Sequence, residues 1–326
     1  MDIMSSPRIV VVGSANTDLV VGVLHIPAPG ETVLGGDLQI VAGGKGANQA
    51  VAAARLGAQV TFIARVGDDA FGQTALENFV REGIATDFVR VTPGVASGVA
   101  LIAVREETGE NAIVVAPGAN GRLSAEDVRT AAEAFDTAQA VIISLEIPEE
   151  AVACAIEMGH ARRIPVIVNP APARALPEDL LAKITALTPN ETEALQLLNR
   201  SPEEQDPPEE IASRLLGLGI DFVVMTMGAA GAMIATPDGV ETVPGILVHA
   251  VDTVAAGDCF TAALAVEFAA GRSLRESVAF ANTAAALKVT RHGAQPGLPH
   301  RAEVEGFLTA RGAASSVSQP SFVSEE

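Results

Sequence analysis

Short runs of β-branched and aliphatic residues, at 9–13, 60–66, 140–144, 165–169 and 222–226, recur along the chain with helix-period segments between them. This alternation constrains the fold most, because parallel strands need a long crossover and a helix of roughly a dozen residues supplies one. Residues 69–81 place Leu76, Phe79 and Val80 at helical spacing, and 124–135 and 149–159 also read as amphipathic helices. The expectation is an α/β fold: a doubly wound, mostly parallel sheet flanked by helices on both faces.

Two stretches break the rhythm. Residues 18–40 and 98–116 are strand-like, rich in Gly and Pro, and carry no helical period. They read as a small β-sheet inserted at about 16–41 and 97–117, either a lid over a ligand or a plain additional sheet. The remainder of 1–311 reads as one α/β domain. The Pro- and acid-rich segment 201–210 reads as a solvated loop, and the small, polar end 312–326 as a disordered tail.

Composition removes several classes of function. The chain has 326 residues with 21 Lys and Arg against 40 Asp and Glu, a formal charge of −19 that opposes docking on nucleic acid or an anionic membrane. Without Trp or Tyr there is little surface on which bases could stack. The longest charge-free run, 222–237, is shorter than the roughly 20 residues that cross a bilayer, and no secretory h-region follows the N-terminus. The expected setting is cytoplasmic. Cys154 and Cys259 are far apart, and no two of the five His form a ligand pair.

Three segments carry chemistry. In 246–270 an apolar strand-like run ending near Val251 leads through Asp252, Thr253, Val254, Ala255, Ala256, Gly257 and Asp258 into a helix. A strand, a loop of small residues and a helix start form an anion-binding layout, since backbone N–H groups and the helix dipole converge there. Asp258 fits two readings, helix cap or general base, and Asp252 is either a turn former or a ligand. A second cluster runs from Ala42 through Gly43, Gly44, Lys45 and Gly46 to Asn48. It is no Walker A loop, because Gln39 and Gly46 stand where Gly and Ser/Thr belong, and Gln49 breaks the dinucleotide fingerprint. In the third, Asn190 and Glu193 suit a capping box or the organisation of hydrated Mg²⁺ beside a nucleotide.

Together these residues resemble the ribokinase or PfkB family of carbohydrate kinases, from about Arg8 to Leu308. One family motif matches 42–67 and another 252–264. Further matches are at 13–18, 169–173, 188–193 and 291–296. The resemblance implies transfer of the γ-phosphoryl group of ATP to the 5-hydroxyl of D-ribose, or to a related sugar or nucleoside. By that likeness Asp258 is the base, and the amides of Ala255, Ala256 and Gly257 stabilise the phosphoryl group in flight. Asn16, Asp18, Gly43, Gly44, Lys45, Asn48 and Glu146 bind the sugar. Asn190, Thr226, Gly228, Gly231, Gly257 and Asn282 line the nucleotide side, and Glu193 serves Mg²⁺ through water.

The family likeness also implies a monovalent cation, usually K⁺, held by Asp252 and by carbonyls of Val254, Lys288, Arg291 and Gly293, for which side-chain identity is unimportant. Gly297 stands where relatives often offer a Ser hydroxyl, and Ala255 replaces a Gly common in the wider family. A homodimer formed through the β lid completes the expectation.

Overall fold

The computed structural model describes residues 6–201 and 206–317. The N-terminal part contains β1 (Arg8–Val12), β2 (Asn16–Val23), β3 (Gln39–Gly43), α1 (Lys45–Arg55), β4 (Gln59–Gly67), α2 (Ala70–Arg81), β5 (Val89–Thr92), β6 (Gly98–Arg105) and β7 (Asn111–Ala116). The middle adds α3 (Ala125–Thr130), α4 (Ala132–Thr137), β8 (Ala140–Ser144), α5 (Glu149–Ala161), β9 (Val166–Asn169), α6 (Glu178–Leu181), β10 (Ala186–Leu187), α7 (Glu191–Leu197) and α8 (Pro208–Leu216). The rest comprises β11 (Phe222–Thr226), β12 (Gly231–Thr236), β13 (Gly239–Pro244), α9 (Ala256–Ala269), α10 (Leu274–Val289), α11 (Ala294–Gly297) and α12 (Arg301–Val317).

Nine strands form the main sheet in the order β13-β12-β11-β10-β9-β8-β1-β4-β5. It is parallel from β5 to β11, and β12 and β13 close one edge as an antiparallel hairpin. Side chains of period two divide between two cores: Ile9 and Val11 face α1, α9 and α10, while Val10 and Val12 face α3 to α8. Helix α9 is buried along nearly its whole length, which explains why its apolar residues lie all round rather than in one stripe. A separate sheet in the order β3-β2-β6-β7 is built from both strand-like insertions, with β2 and β6 parallel. Among the described residues no helix is long and apolar enough to cross a membrane.

Four local expectations need correcting. The helix read over 124–135 breaks at Ala131: Thr130 Oγ1 donates to the Asp127 carbonyl at 2.7 Å, and the Ala131 amide turns to Val128 O instead. No strand precedes Asp252, because the hairpin ladder ends at Pro244 and the amides of Val251 and Asp252 donate to Val289 O at the end of α10. Within the acidic segment, Pro208 opens α8 with Glu209 and Glu210 in its first turn, where a missing N–H is harmless and negative charge suits the helix dipole. Helix α12 runs on to Val317, into the stretch read as a tail, and 318–326 lies outside the described residues.

Candidate active site

The loops that follow the carboxyl ends of β1, β8, β9, β10 and β11 meet the start of α9, the edge where open parallel sheets bind ligands. Asp258 sits in the first turn of α9 and is only 5% exposed. Its Oδ2 accepts from Asn48 Nδ2 at 2.9 Å and its Oδ1 from Gln49 Nε2 at 3.1 Å. Helix α1 delivers both amides because Gly46 packs against the Gly13 backbone with no room for a Cβ. Burial pushes the Asp258 carboxyl above its ordinary range, while the Lys45 ammonium and the two amides pull it partly back.

The alternation of β2 puts Asn16 and Asp18 on one face, beside Gly43 of β3. Any side chain at position 43 would collide with the Asp18 carboxylate. Burial raises Asp18 to about 6, helped by the neighbouring Glu146 and Asp258 charges. Glu146 follows β8 and accepts from Ser14 Oγ at 2.5 Å and from the Lys45 amide at 3.2 Å. Burial alone would lower the Lys45 ammonium, but Asp258, Glu146 and Glu193 outweigh it and hold the ammonium above its usual value. Gly44, at φ +88°, ends β3 and turns the chain into α1. Asn48 Oδ1 is buried and has no hydrogen-bond partner among the described residues.

Around the other side of α9, Asn190 and Glu193 form the capping box of α7: Glu193 N donates to Asn190 Oδ1 at 2.8 Å, and Asn190 N to Glu193 Oε2 at 2.9 Å. Burial raises Glu193, against the pull of its hydrogen bond and of Lys45. Thr226 ends β11 with its amide on Pro189 O at 2.9 Å, and Gly228 and Gly231 take positive φ in the next turn. Asn282 Nδ2 is committed to the carbonyls of Val243 and Pro244, at 3.1 and 3.3 Å, and so latches α10 to the end of β13. Ala255 is left-handed at φ +60°. The Ala256 amide closes a turn on Thr253 O at 3.2 Å, whereas the amides of Ala255 and Gly257 have no partner among the described residues. Of the three donors expected for an anion, two are therefore open.

Beneath this turn, Asp252 accepts from the amides of Val254 at 2.9 Å and Gly293 at 2.7 Å. Lys288, 0% exposed, points its ammonium at the Asp252 carbonyl at 2.9 Å and the Arg291 carbonyl at 3.4 Å, with Asp252 Oδ1 at 3.9 Å. Burial lowers this ammonium, and Asp252 opposes the shift.

Residues 6–301 match the pfkB family of carbohydrate kinases. The chain belongs to that family. This carbohydrate kinase is 42% identical to a ribokinase of Bacillus subtilis over 302 residues, covering 93% of this chain and 99% of that one. It is 37% identical to a deoxyribokinase of Salmonella typhi, covering 92% and 98%. A structure of Arabidopsis thaliana ribokinase complexed with ribose and ATP superposes with a TM-score of 0.84 at 32% identity, covering 93% of the kinase and 99% of the plant chain.

The cation pocket implied by the family does not fit this kinase. Lys288 was expected to offer only a carbonyl, yet its side chain fills the space between Asp252 and Arg291. A positive charge already in contact with those oxygens repels a second one. Gly297 belongs to the same arrangement: a Cβ there would press on Lys288 Cε at 3.2 Å.

The residues that hold Asp258 and Asn16 in place carry no sequence motif of their own. Gln49 Nε2 reaches Asn169 Oδ1 at 3.2 Å as well as Asp258, and Asn169 Nδ2 donates to Thr188 O at 3.0 Å. Asn120 grips the Ala15 backbone through both ends of its amide and donates to Asn16 Oδ1 at 2.7 Å. One signal was available: Gln49 breaks a glycine fingerprint and is followed in α1 only by Ala and Val up to Ala54.

Proposed function

We propose that this kinase transfers the γ-phosphoryl group of ATP to the 5-hydroxyl of D-ribose, giving D-ribose 5-phosphate and ADP. The observation that carries the reading is the Asp258 carboxylate, buried at a helix start, held by two amide donors and facing the polar ring of Asn16, Asp18, Gly43, Gly44, Lys45, Asn48 and Glu146. Each carboxylate oxygen keeps a lone pair beyond its amide bond. As the sugar oxygen bonds to the γ-phosphorus and the bond to the β-phosphate oxygen breaks, its proton passes to Asp258. The raised proton affinity of that group suits it to the task, and such a base contributes typically ~10²–10⁴-fold. The open amides of Ala255 and Gly257 supply donors for charge on the moving group, and the Ala256 amide joins them where the turn yields its bond to Thr253. Unpartnered Asn48 Oδ1 supports a hydroxyl-bearing substrate, since an orphaned buried acceptor is costly until a donor reaches it.

On the nucleotide side, Asn190, Thr226, Gly228, Gly231 and Asn282 form the strip along which ATP would lie. Mg²⁺, when bound, neutralises the β- and γ-phosphate oxygens. The Glu193 carboxylate is the hard oxygen donor that would hold its waters, consistent with an ion that keeps part of its hydration shell and shares ligands with phosphates. Among the described residues no three His, Cys, Asp or Glu converge as a metal cage.

The small sheet would close over the sugar and pair two copies. Ile40 of β3, Leu101 of β6 and Val114 of β7 lie exposed in one cross-strand row, an apolar set suited to a second subunit. The setting we assign is cytoplasmic, where ATP is available.

The deciding experiment ranks kcat/KM over ribose, 2-deoxyribose, other pentoses and nucleosides with ATP and Mg²⁺. Ribose is expected first; no ADP release with ribose rejects the proposal. The 37% identical deoxyribokinase makes 2-deoxyribose the second reading. Light scattering of the purified protein is expected to give a dimer mass.

A further inference from the structure

We propose that the Lys288 ammonium is a resident monovalent cation, built into the chain, which polarises the turn before α9 and frees the enzyme from any need for K⁺. The inference rests on the phosphoryl-transfer reading of that turn and concerns what stabilises it. A fully buried ammonium is unfavourable unless oxygens surround it. Lys288 has the carbonyls of Asp252 and Arg291 and, a little further off, the Asp252 carboxylate. Such oxygens are what a small alkali ion would seek, and here they converge on a covalently attached charge.

The arrangement has a directional consequence. In a trans peptide the C=O and N–H point opposite ways, so drawing the Asp252 carbonyl towards Lys288 turns the Thr253 amide towards the far side of the loop. Asp252 Oδ1 and Oδ2 meanwhile fix the amides of Val254 and Gly293. One ammonium therefore ties residues 252–254 to 291–293, directly below the open amides at the start of α9. The absence of a side chain at Gly297 gives the Lys288 stem its passage.

The test compares wild type, Lys288→Ala and the double variant Lys288→Ala/Gly297→Ser in tetramethylammonium chloride and in KCl of equal ionic strength, reading both turnover and Tm. For the wild type, kcat/KM is expected to agree within about twofold between the salts, with the same Tm. Lys288→Ala is expected to lose about 10- to 100-fold in tetramethylammonium. KCl should restore much of that loss and raise its Tm by several degrees, by roughly RT ln(1 + [K⁺]/Kd) of added stability. The double variant should respond at lower KCl, because a hydroxyl oxygen replaces the lost space. Activation of the wild type by about tenfold or more in KCl, or a K⁺-specific rise in its Tm, would overturn the proposal. So would a Lys288→Ala protein that keeps full activity and ignores K⁺. Should the variants fail to fold, the wild-type comparison alone decides. If ribose elicits no ADP in either salt, the proposed function fails, while the Tm comparison still judges the resident cation.

Discussion

Asp252 and Asp258 flank a single turn, and the fold treats them in opposite ways. Asp252 lies between two backbone amides and a buried ammonium, so its charge is matched on every side the structure presents. Asp258 receives only neutral amides directly, with Lys45 acting from further off and Glu146 adding repulsion. A matched carboxylate stabilises its surroundings. An under-compensated one keeps a raised proton affinity, which is what a proton acceptor needs. In the proposed reaction, one turn thus combines a structural charge with a reactive one.

The sharpest way to break the contrast is Asp258→Asn. It should lower kcat by roughly 10²-fold or more while calorimetry still detects ribose and ATP, since the proton acceptor alone is removed. Asp252→Ala should act on stability as well. It leaves Lys288 facing carbonyls alone, and urea unfolding should show a loss of about 2–3 kcal/mol.

Asp18 sharpens the comparison through pH. Its folded-state value of about 6 lies above the ordinary 3.8, so its contribution is fully present below about pH 4 and disappears as pH rises through 6. Asp18→Asn should therefore make the ligand-free protein more stable than wild type above pH 6, by about 1–2 kcal/mol in thermal unfolding, while weakening ribose affinity. Asp258 and Glu193 are shifted in the same direction, so a residual slope of the same sign should remain. The smallest effect belongs to Ala255→Gly. It removes left-handed strain of roughly 1–2 kcal/mol but adds freedom to the unfolded chain, and the net gain in stability should stay below about 1 kcal/mol.

Much of this was legible from local pattern. Buried parallel strands must be β-branched on both faces, so Ile9 to Val12 and Ala140 to Ser144 declare themselves, as do the small residues around Gly257. The supporting contacts were not legible, because they join residues remote in sequence. Gln49 finds Asp258 across 209 positions, and Asn120 reaches Asn16 across 104. Nothing in the neighbourhood of a neutral Gln or Asn announces such a partner. Lys288 was misjudged for the same reason: a lysine in the last turn of a helix ordinarily reaches solvent, and only the packing of α10 against the 252–254 turn shows that this one cannot. The break at Ala131 turned on one hydroxyl competing for one carbonyl, a contest below the resolution of periodicity.

The amides running from Thr188 to Asp258 can be wired in only one sense. The Thr188 main-chain oxygen takes a hydrogen from Asn169, which orients that amide so that its own oxygen receives Gln49; Gln49 is then left presenting nitrogen to the carboxylate. A carbonyl that can never donate thereby dictates polarity down the row, and the last member meets it as an acceptor. The two amides facing Asp258 thereby offset part of the burial that raises its proton affinity, and reversing either intermediate amide would set like against like at both of its contacts.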